Sequence, residues 1–258
     1  MSRAKEVGLL GTSTPDALWN APESRVLRPS AIACRGLRRQ VGGRLLLDGL
    51  TLEVPAGMRL LVISDPEDSA PLLLRVLAGL ARPDGGSTEL AGLTDASRAG
   101  WARRVAYVGP EQGLWPWMTP REVLALAERL HGAPGWHVDR LVTALGIGAA
   151  LNQPLSWGSE AMVERVALAA ALLRDPEVLL LDEPLPSLDP EERSRILSLP
   201  GRRRTILLAS RQPATEAGHC THVALLREGG LAFLATVAEL AARDLPLSVR
   251  GVEALAVA

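Results

Sequence analysis

Residues 178–181, Val-Leu-Leu-Leu, form an uninterrupted apolar run that ends in Asp182-Glu183-Pro184, and few architectures accept such a run. A strand without polar alternation has to be covered on both faces, as happens in a parallel sheet lying between helices. The flanking sequence repeats the arrangement. Residues 58–63 are a second short run suited to a buried strand, followed by Leu72, Leu73, Val76, Leu77 and Leu80 at the three- and four-residue spacing of a helix. Strands are expected at 104–108, 205–209 and 222–227, and helices at 190–199 and 236–243. This alternation predicts an α/β fold with a parallel sheet covered by helices.

Other segments depart from the alternation. From 31 to about 54, two apolar-rich segments flank the turn-like Gly42-Gly43, and Arg82-Pro83-Asp84-Gly85-Gly86 supplies turn chemistry after the first helix. Residues 119–175 read as mostly helical, with breaks at 132–135 and 152–154, and are expected to stand as a helical subdomain over about 110–175. Residues 1–29 have no sustained period around Trp19 and read as a mobile extension, leaving 30–258 as the folded domain.

Composition narrows the partners. A net charge of −1 and a pI near 6.5 give no reason to expect nucleic acid or an anionic membrane surface. Cys34 and Cys220 lack metal-type spacing and read as reduced, buried thiols, and no metal site is expected. No apolar run reaches the ~18 residues that cross a bilayer, and the first 30 lack the pattern of a signal peptide. The chain is expected to be cytoplasmic, attached peripherally to the inner face of the membrane through a partner.

An apolar strand ending in Asp-Glu is useful beside a loop that binds phosphate, and such a loop needs a lysine. Lys5 is the only lysine in the chain, so arginine makes up the rest of the 28 basic residues. The acidic half of a nucleotide site is present without its basic half.

The order of strand, loop, helix, aromatic loop and helical insertion, followed by Leu155-Ser156-Trp157-Gly158-Ser159, Asp182-Glu183-Pro184 and Ser187-Leu188-Asp189, resembles the nucleotide-binding domain of ABC transporters. The resemblance covers roughly residues 31–243. Arg165-Val166-Ala167-Leu168-Ala169 and Leu172-Leu173-Arg174-Asp175-Pro176 fall at family spacing within it. It implies a P-loop-type ABC ATPase core with a parallel sheet, an N-terminal antiparallel β-subdomain and an α-helical signature subdomain.

The same resemblance exposes departures. The register fixed by residues 74–80 puts Ser64, Glu67 and Ser69 where the family's phosphate loop has glycines, Ala70 at its lysine, and Pro71 or Leu72 at its magnesium-binding hydroxyl. Asp65, Glu67 and Asp68 add negative charge where a triphosphate would sit. The loop is expected not to bind nucleotide, reading as an ordinary acidic strand-to-helix turn rather than an unorthodox site. Val41 stands at the aromatic that stacks on adenine, Gly109-Pro110 at the loop glutamine with Gln112 two residues late, and Arg211 at the switch histidine.

Asp182 and Glu183 keep the family pattern of magnesium-holding aspartate and general base, and are expected to be idle, as strand-end carboxylates bonded to neighbouring loops. The resemblance places Ser187 and Asp189 at a dimer interface. It places Ser156 and Gly158 against a partner's ATP in trans, with a structural helix cap as the alternative. Trp115, Trp117 and Met118 lie where the family receives a membrane permease, with packing between subdomains as the alternative. Together these imply a catalytically degenerate subunit, a pseudo-ATPase in a heterodimer with a competent second ATPase, coupled to transmembrane permease subunits, with Mg-ATP bound only in the partner's site. Two rivals remain: an active ATPase rebuilt with Arg75 and Arg211, and a scaffold that uses the fold for protein contacts alone.

Overall fold

A computed structural model describes residues 30–94, 100–101, 104–111, 113–132, 135–199, 204–216 and 218–257. The expected N-terminal extension, with Lys5 and Trp19, and Gln112 lie outside the described residues.

The chain opens with a hairpin of β1 (Ser30–Val41) and β2 (Arg44–Pro55), in which Val41 pairs with Arg44 across Gly42-Gly43. Both turn glycines have positive φ, 57° and 82°, as a tight two-residue hairpin demands. β4 (Gly85–Leu90) joins the other edge of β1, and β5 (Leu93–Thr94) follows, giving an antiparallel sheet ordered β2-β1-β4-β5.

A second sheet contains β3 (Arg59–Asp65), β6 (Val105–Val108), β7 (Val178–Asp182), β8 (Thr205–Ala209), β9 (His222–Arg227) and β10 (Gly230–Thr236). Its order is β10-β9-β3-β8-β7-β6, parallel throughout except for the antiparallel edge strand β10. Helix α1 (Ser69–Leu77) follows β3 directly. Helices α2 (Pro120–His131), α3 (Gly135–Ala144) and α4 (Glu160–Leu173) fill the insertion between β6 and β7. α5 (Pro190–Leu197), α6 (Val237–Ala242) and α7 (Val249–Val257) lie after β7, β10 and α6 in turn.

The apolar strands are explained by cover on both sides. Leu60, Val62, Leu180 and Leu207 face one core with Leu73 and Leu77 of α1 and with Ile32, Leu37 and Leu52 of the antiparallel sheet. Leu61, Ile63, Leu179, Leu181 and Leu208 face a second core with Val166 and Leu168 of α4 and Leu124 of α2. The period-2 pleat sends neighbours in one run to opposite cores, so both faces must be apolar.

Several expected boundaries shift. Residues 85–86, read as turn, begin β4, whose Gly-Gly-Ser-Thr-Glu-Leu sequence has little intrinsic strand preference and is held by pairing with β1. A Cβ on Gly86 would lie 2.4 Å from the Gly36 carbonyl oxygen, so glycine permits that close pairing. α1 stops at Leu77 and Leu80 is exposed, while Gly79 takes φ 73° in the closing turn. β10 and α7 carry no signal read in the sequence. The break at 132 is a left-handed Gly132 ending α2, and the helix start before it is a capping box of Thr119 and Glu122. Among the described residues no helix is long and apolar enough to cross a membrane.

Candidate functional site

β3 delivers Ser64 and Asp65 to the start of α1 through a turn of only Pro66, Glu67 and Asp68. The backbone donors of the first turn of α1 itself are already used. Ser69 N–H donates to the Pro66 carbonyl at 3.1 Å, Ala70 N–H donates to Ser64 Oγ at 3.0 Å, Pro71 has no N–H, and Leu72 N–H donates to Asp68 at 3.1 Å. Ser64 Oγ in turn donates to the Glu67 carbonyl at 3.1 Å, and Ser69 Oγ donates to the Leu46 carbonyl at 2.8 Å. The turn is therefore closed by its own serines. Ser64, Ser69 and Ala70 are all buried.

Beside the turn lies a cavity of about 90 Å³ bounded by Ser64, Glu67, Ala70, Pro71, Glu183 and Arg211. Two carboxylates and one arginine border a space of roughly three water molecules, at about 30 Å³ each.

Asp182, the last residue of β7, is buried and accepts the Tyr107 hydroxyl through Oδ2 at 2.8 Å, while its Oδ1 has no partner among the described residues. Burial raises its pKa above the usual carboxylate value, against the lowering effects of the Tyr107 bond and the Arg75 and Arg211 charges. Burial likewise raises Tyr107, helped by its bond to Asp182. Tyr107 was not singled out from the sequence, although its place on β6 beside β7, with Tyr107 opposite Leu180, follows from the strand register. A Cβ on Gly109 would lie 2.1 Å from the Tyr107 hydroxyl, so the glycine leaves room for the tyrosine to reach Asp182.

Glu183 sits just past the strand with φ 48°, its N–H bonded to the Ala209 carbonyl at 2.9 Å. Its Oε1 accepts the Arg211 N–H at 2.7 Å, and burial raises its pKa. Arg211 contributes its backbone to that bond; its side chain is largely exposed, with Nε 3.9 Å from Glu183. Both acids are tied to neighbouring strands and loops. Val41, at the end of β1, is partly exposed.

The segment 155–159 forms a short turn, Leu155–Trp157, ahead of α4. The cap of α4 is Ser159, whose Oγ accepts the Met162 N–H at 3.3 Å; Ser156 does not cap the helix. Ser156 is exposed, and its N–H binds the Pro116 carbonyl at 2.8 Å, beside a Leu155-to-Met118 bond of 2.9 Å. Gly158 follows in extended conformation, its N–H returned to the Leu155 carbonyl at 3.0 Å. Trp157, next to Ser156, is 77% exposed.

Ser187 and Asp189 both have partners within the chain. The Ser187 hydroxyl donates to Glu164 at 2.8 Å, its N–H to the other Glu164 oxygen at 3.2 Å, and Asp189 caps α5 by accepting the Glu192 N–H at 3.0 Å.

The tryptophans of the aromatic loop do not pack between subdomains as the alternative reading had it. Trp115 and Trp117 are exposed and stacked on each other, with ring centroids 6.2 Å apart. Trp115 and Met118 line a groove of about 320 Å³ with Leu126, Leu130, Ala170 and Arg174, while Trp117 backs Trp115 without lining the groove. Leu126 and Leu130 were missed in the sequence. Their i, i+4 spacing on α2 places them together, outside the buried set Val123, Leu124 and Ala127, and that unburied second stripe was the available signal.

With this geometry in hand, comparison with known proteins is informative. The sequence model described as "ABC transporter" matches residues 71–186. The Nod factor export ATP-binding protein I of Burkholderia orbicola (strain AU 1054) is 33% identical over 207 residues, covering 76% of this chain and 67% of that protein. The aliphatic sulfonates import ATP-binding protein SsuB of Pseudomonas putida (strain ATCC 47054) is 32% identical over 221 residues, covering 83% and 79%. A solved ATP-binding subunit of an ABC transporter superposes with a TM-score of 0.74 at 21% identity, over 83% of this chain and 93% of its own. The two sheets and the helical insertion thus define an ATP-binding cassette fold. The chain belongs to the ABC transporter family.

Proposed function

We propose that this chain is a catalytically degenerate nucleotide-binding subunit of an ABC transporter, which does not hold ATP in its own cleft. The observation that carries this reading is the closed start of α1, where Ser64 Oγ takes the Ala70 N–H that an anion would need. A phosphate cradle requires several inward N–H groups and a cation; here the N–H groups of Ser69 and Ala70 are taken by the Pro66 carbonyl and Ser64 Oγ, Pro71 has none, and the turn has no lysine. Glu67 and Glu183 line the small cavity, and two carboxylates there oppose the entry of a further anion. Ligand sites for ordinary small molecules begin near 300 Å³, against the 90 Å³ here. The residues present do not fit a nucleoside triphosphate.

The rest of the surface suits a member of a larger assembly. Ser156 and Trp157 are exposed on the turn that leads into α4, a position from which they would meet a second, competent ATPase in a heterodimer, with Mg-ATP held by that partner. The groove beside Trp115 and Met118 would receive a cytoplasmic segment of a membrane permease, which would hold the chain at the inner face of the membrane.

Isothermal titration of the purified full chain with Mg-ATP tests the central point. No heat of binding is expected up to millimolar nucleotide; saturable binding in the micromolar range would overturn the reading.

A further inference from the structure

Helix α7 reaches back from the far side of β10 to the cleft, packing against β3 and β10. Ser248 caps it, its Oγ accepting the Gly251 N–H at 3.2 Å. Leu247 and Val252 are buried in the core that also holds Ile63 of β3 and Leu225 of β9. A Cβ on Gly251 would lie 1.9 Å from the Pro246 carbonyl oxygen, so glycine lets the first turn fold back on Pro246.

This helix brackets the turn between β3 and α1 at two points. In its first turn Val249 lines the cavity of about 90 Å³, together with Glu67 and Pro71 of that turn, Glu183 after β7, and Arg211 and Pro213 after β8. One helical turn later, Glu253 pairs with Arg227, the last residue of β9, which stands in register with Asp65, the last residue of β3. The next N–H, of Glu228, donates to the Asp65 carbonyl at 3.3 Å.

The ends of β3, β7 and β8 therefore meet around one small space, which a bound ligand would tie together. Here the chain bridges them itself, with the Arg211 N–H on Glu183 and the Val249 side chain against a floor of Ile63, Ala70 and Ala209. We propose that α7 is a built-in wedge: Val249 stands in for a ligand and holds the 65–71 turn against the ends of β7 and β8, so that the cleft keeps one shape at any nucleotide concentration. The inference rests on the empty-cleft reading above and adds what closes the cleft in the ligand's place. An apolar side chain suits that floor, whereas a third carboxylate beside Glu67 and Glu183 would be repelled and would back out, freeing the turn to open locally.

The test is amide hydrogen exchange on the full chain, read by mass spectrometry on peptides covering 64–77 and 205–213, with 120–131 of α2 as reference. Val249→Asp should speed exchange of the first two segments by roughly tenfold or more and leave α2 unchanged. Ala254→Asp, on the exposed side of α7, should leave all three as in the wild type. Wild-type rates at 64–77 and 205–213 in Val249→Asp would overturn the wedge, as would a uniform rise that reaches α2 or an equal opening by Ala254→Asp. Should Val249→Asp lose its circular dichroism spectrum, Val249→Ala decides: about threefold faster exchange at 64–77 is expected, and no change overturns the proposal. Mg-ATP added to the wild type separates the two ideas. Slower exchange at 64–77 would overturn the empty-cleft reading and the wedge with it, whereas wild-type rates in Val249→Asp sink the wedge alone.

Discussion

The Tyr107 hydroxyl donates to Asp182 at 2.8 Å, and this bond is the main compensation for a carboxylate buried at the end of β7. The second oxygen of Asp182 has no partner among the described residues, and burial raises the pKa of the group. An acid with a raised folded-state pKa favours the fold when protonated; that contribution is complete below its unfolded value and is lost as pH rises through the folded value. Asp182→Asn keeps an acceptor for Tyr107 and removes the charge. At pH 7 its thermal midpoint should exceed wild type by roughly 2–4 °C, the equivalent of about 1 kcal/mol in a chain of this size. The gain should vanish near pH 3.5, where both proteins are neutral at 182. Equal midpoints at both pH values would contradict the assignment.

Ser64→Ala should be destabilising out of proportion to its size. It deletes the acceptor of the buried Ala70 N–H, and an orphaned buried donor costs about 1–3 kcal/mol. Urea unfolding, read as a lowered midpoint at unchanged slope, measures it.

Ala70→Lys returns a lysine to the position that the family uses for it. The new ammonium would enter beside Glu67 and Glu183, which line the same cavity, and pair with them. No Mg-ATP binding is expected by calorimetry, because the N–H groups of Ser69, Ala70 and Leu72 remain committed to Pro66, Ser64 and Asp68. Micromolar affinity in this variant would show that the missing charge alone silences the turn.

Arg193→Ala should be among the most damaging single changes. Arg193 holds Glu216, which is fully buried and whose pKa burial raises, and removing one member of such a pair costs about 3–5 kcal/mol. Pairing it with Glu216→Gln should restore part of the loss, as a double-mutant cycle in urea would report.

Much of the fold was legible because both sides of the main sheet are covered. The runs at 58–63 and 178–181 have one explanation, and the structure supplies it in two cores facing opposite ways. β4 was not legible, since Gly85-Gly86 pairs only by virtue of β1 and the Gly36 carbonyl, a tertiary contact without local signature. At the site, the substitutions at Glu67, Ala70 and Pro71 could be read in sequence, but the serine that closes the turn could not. Ser64 looked like a lost glycine, whereas the structure gives it a bond to Ala70 N–H and another to the Glu67 carbonyl. Tyr107 was missed for a similar reason: nothing in residues 104–108 announces that its hydroxyl reaches a neighbouring strand.

α4 joins two surfaces that lie far apart along the chain. Its 14 residues span about 21 Å. At the N-terminal end Glu160 and Glu164 hold Ser187 and the exposed turn of Ser156 leads in; at the C-terminal end Arg174 lies at the groove. Arg165, midway, grips Glu192 of α5 at 2.6 Å. A load applied at the groove would therefore arrive at Ser156 and Ser187 as rotation of one stiff beam, with no joint between the two ends to absorb it.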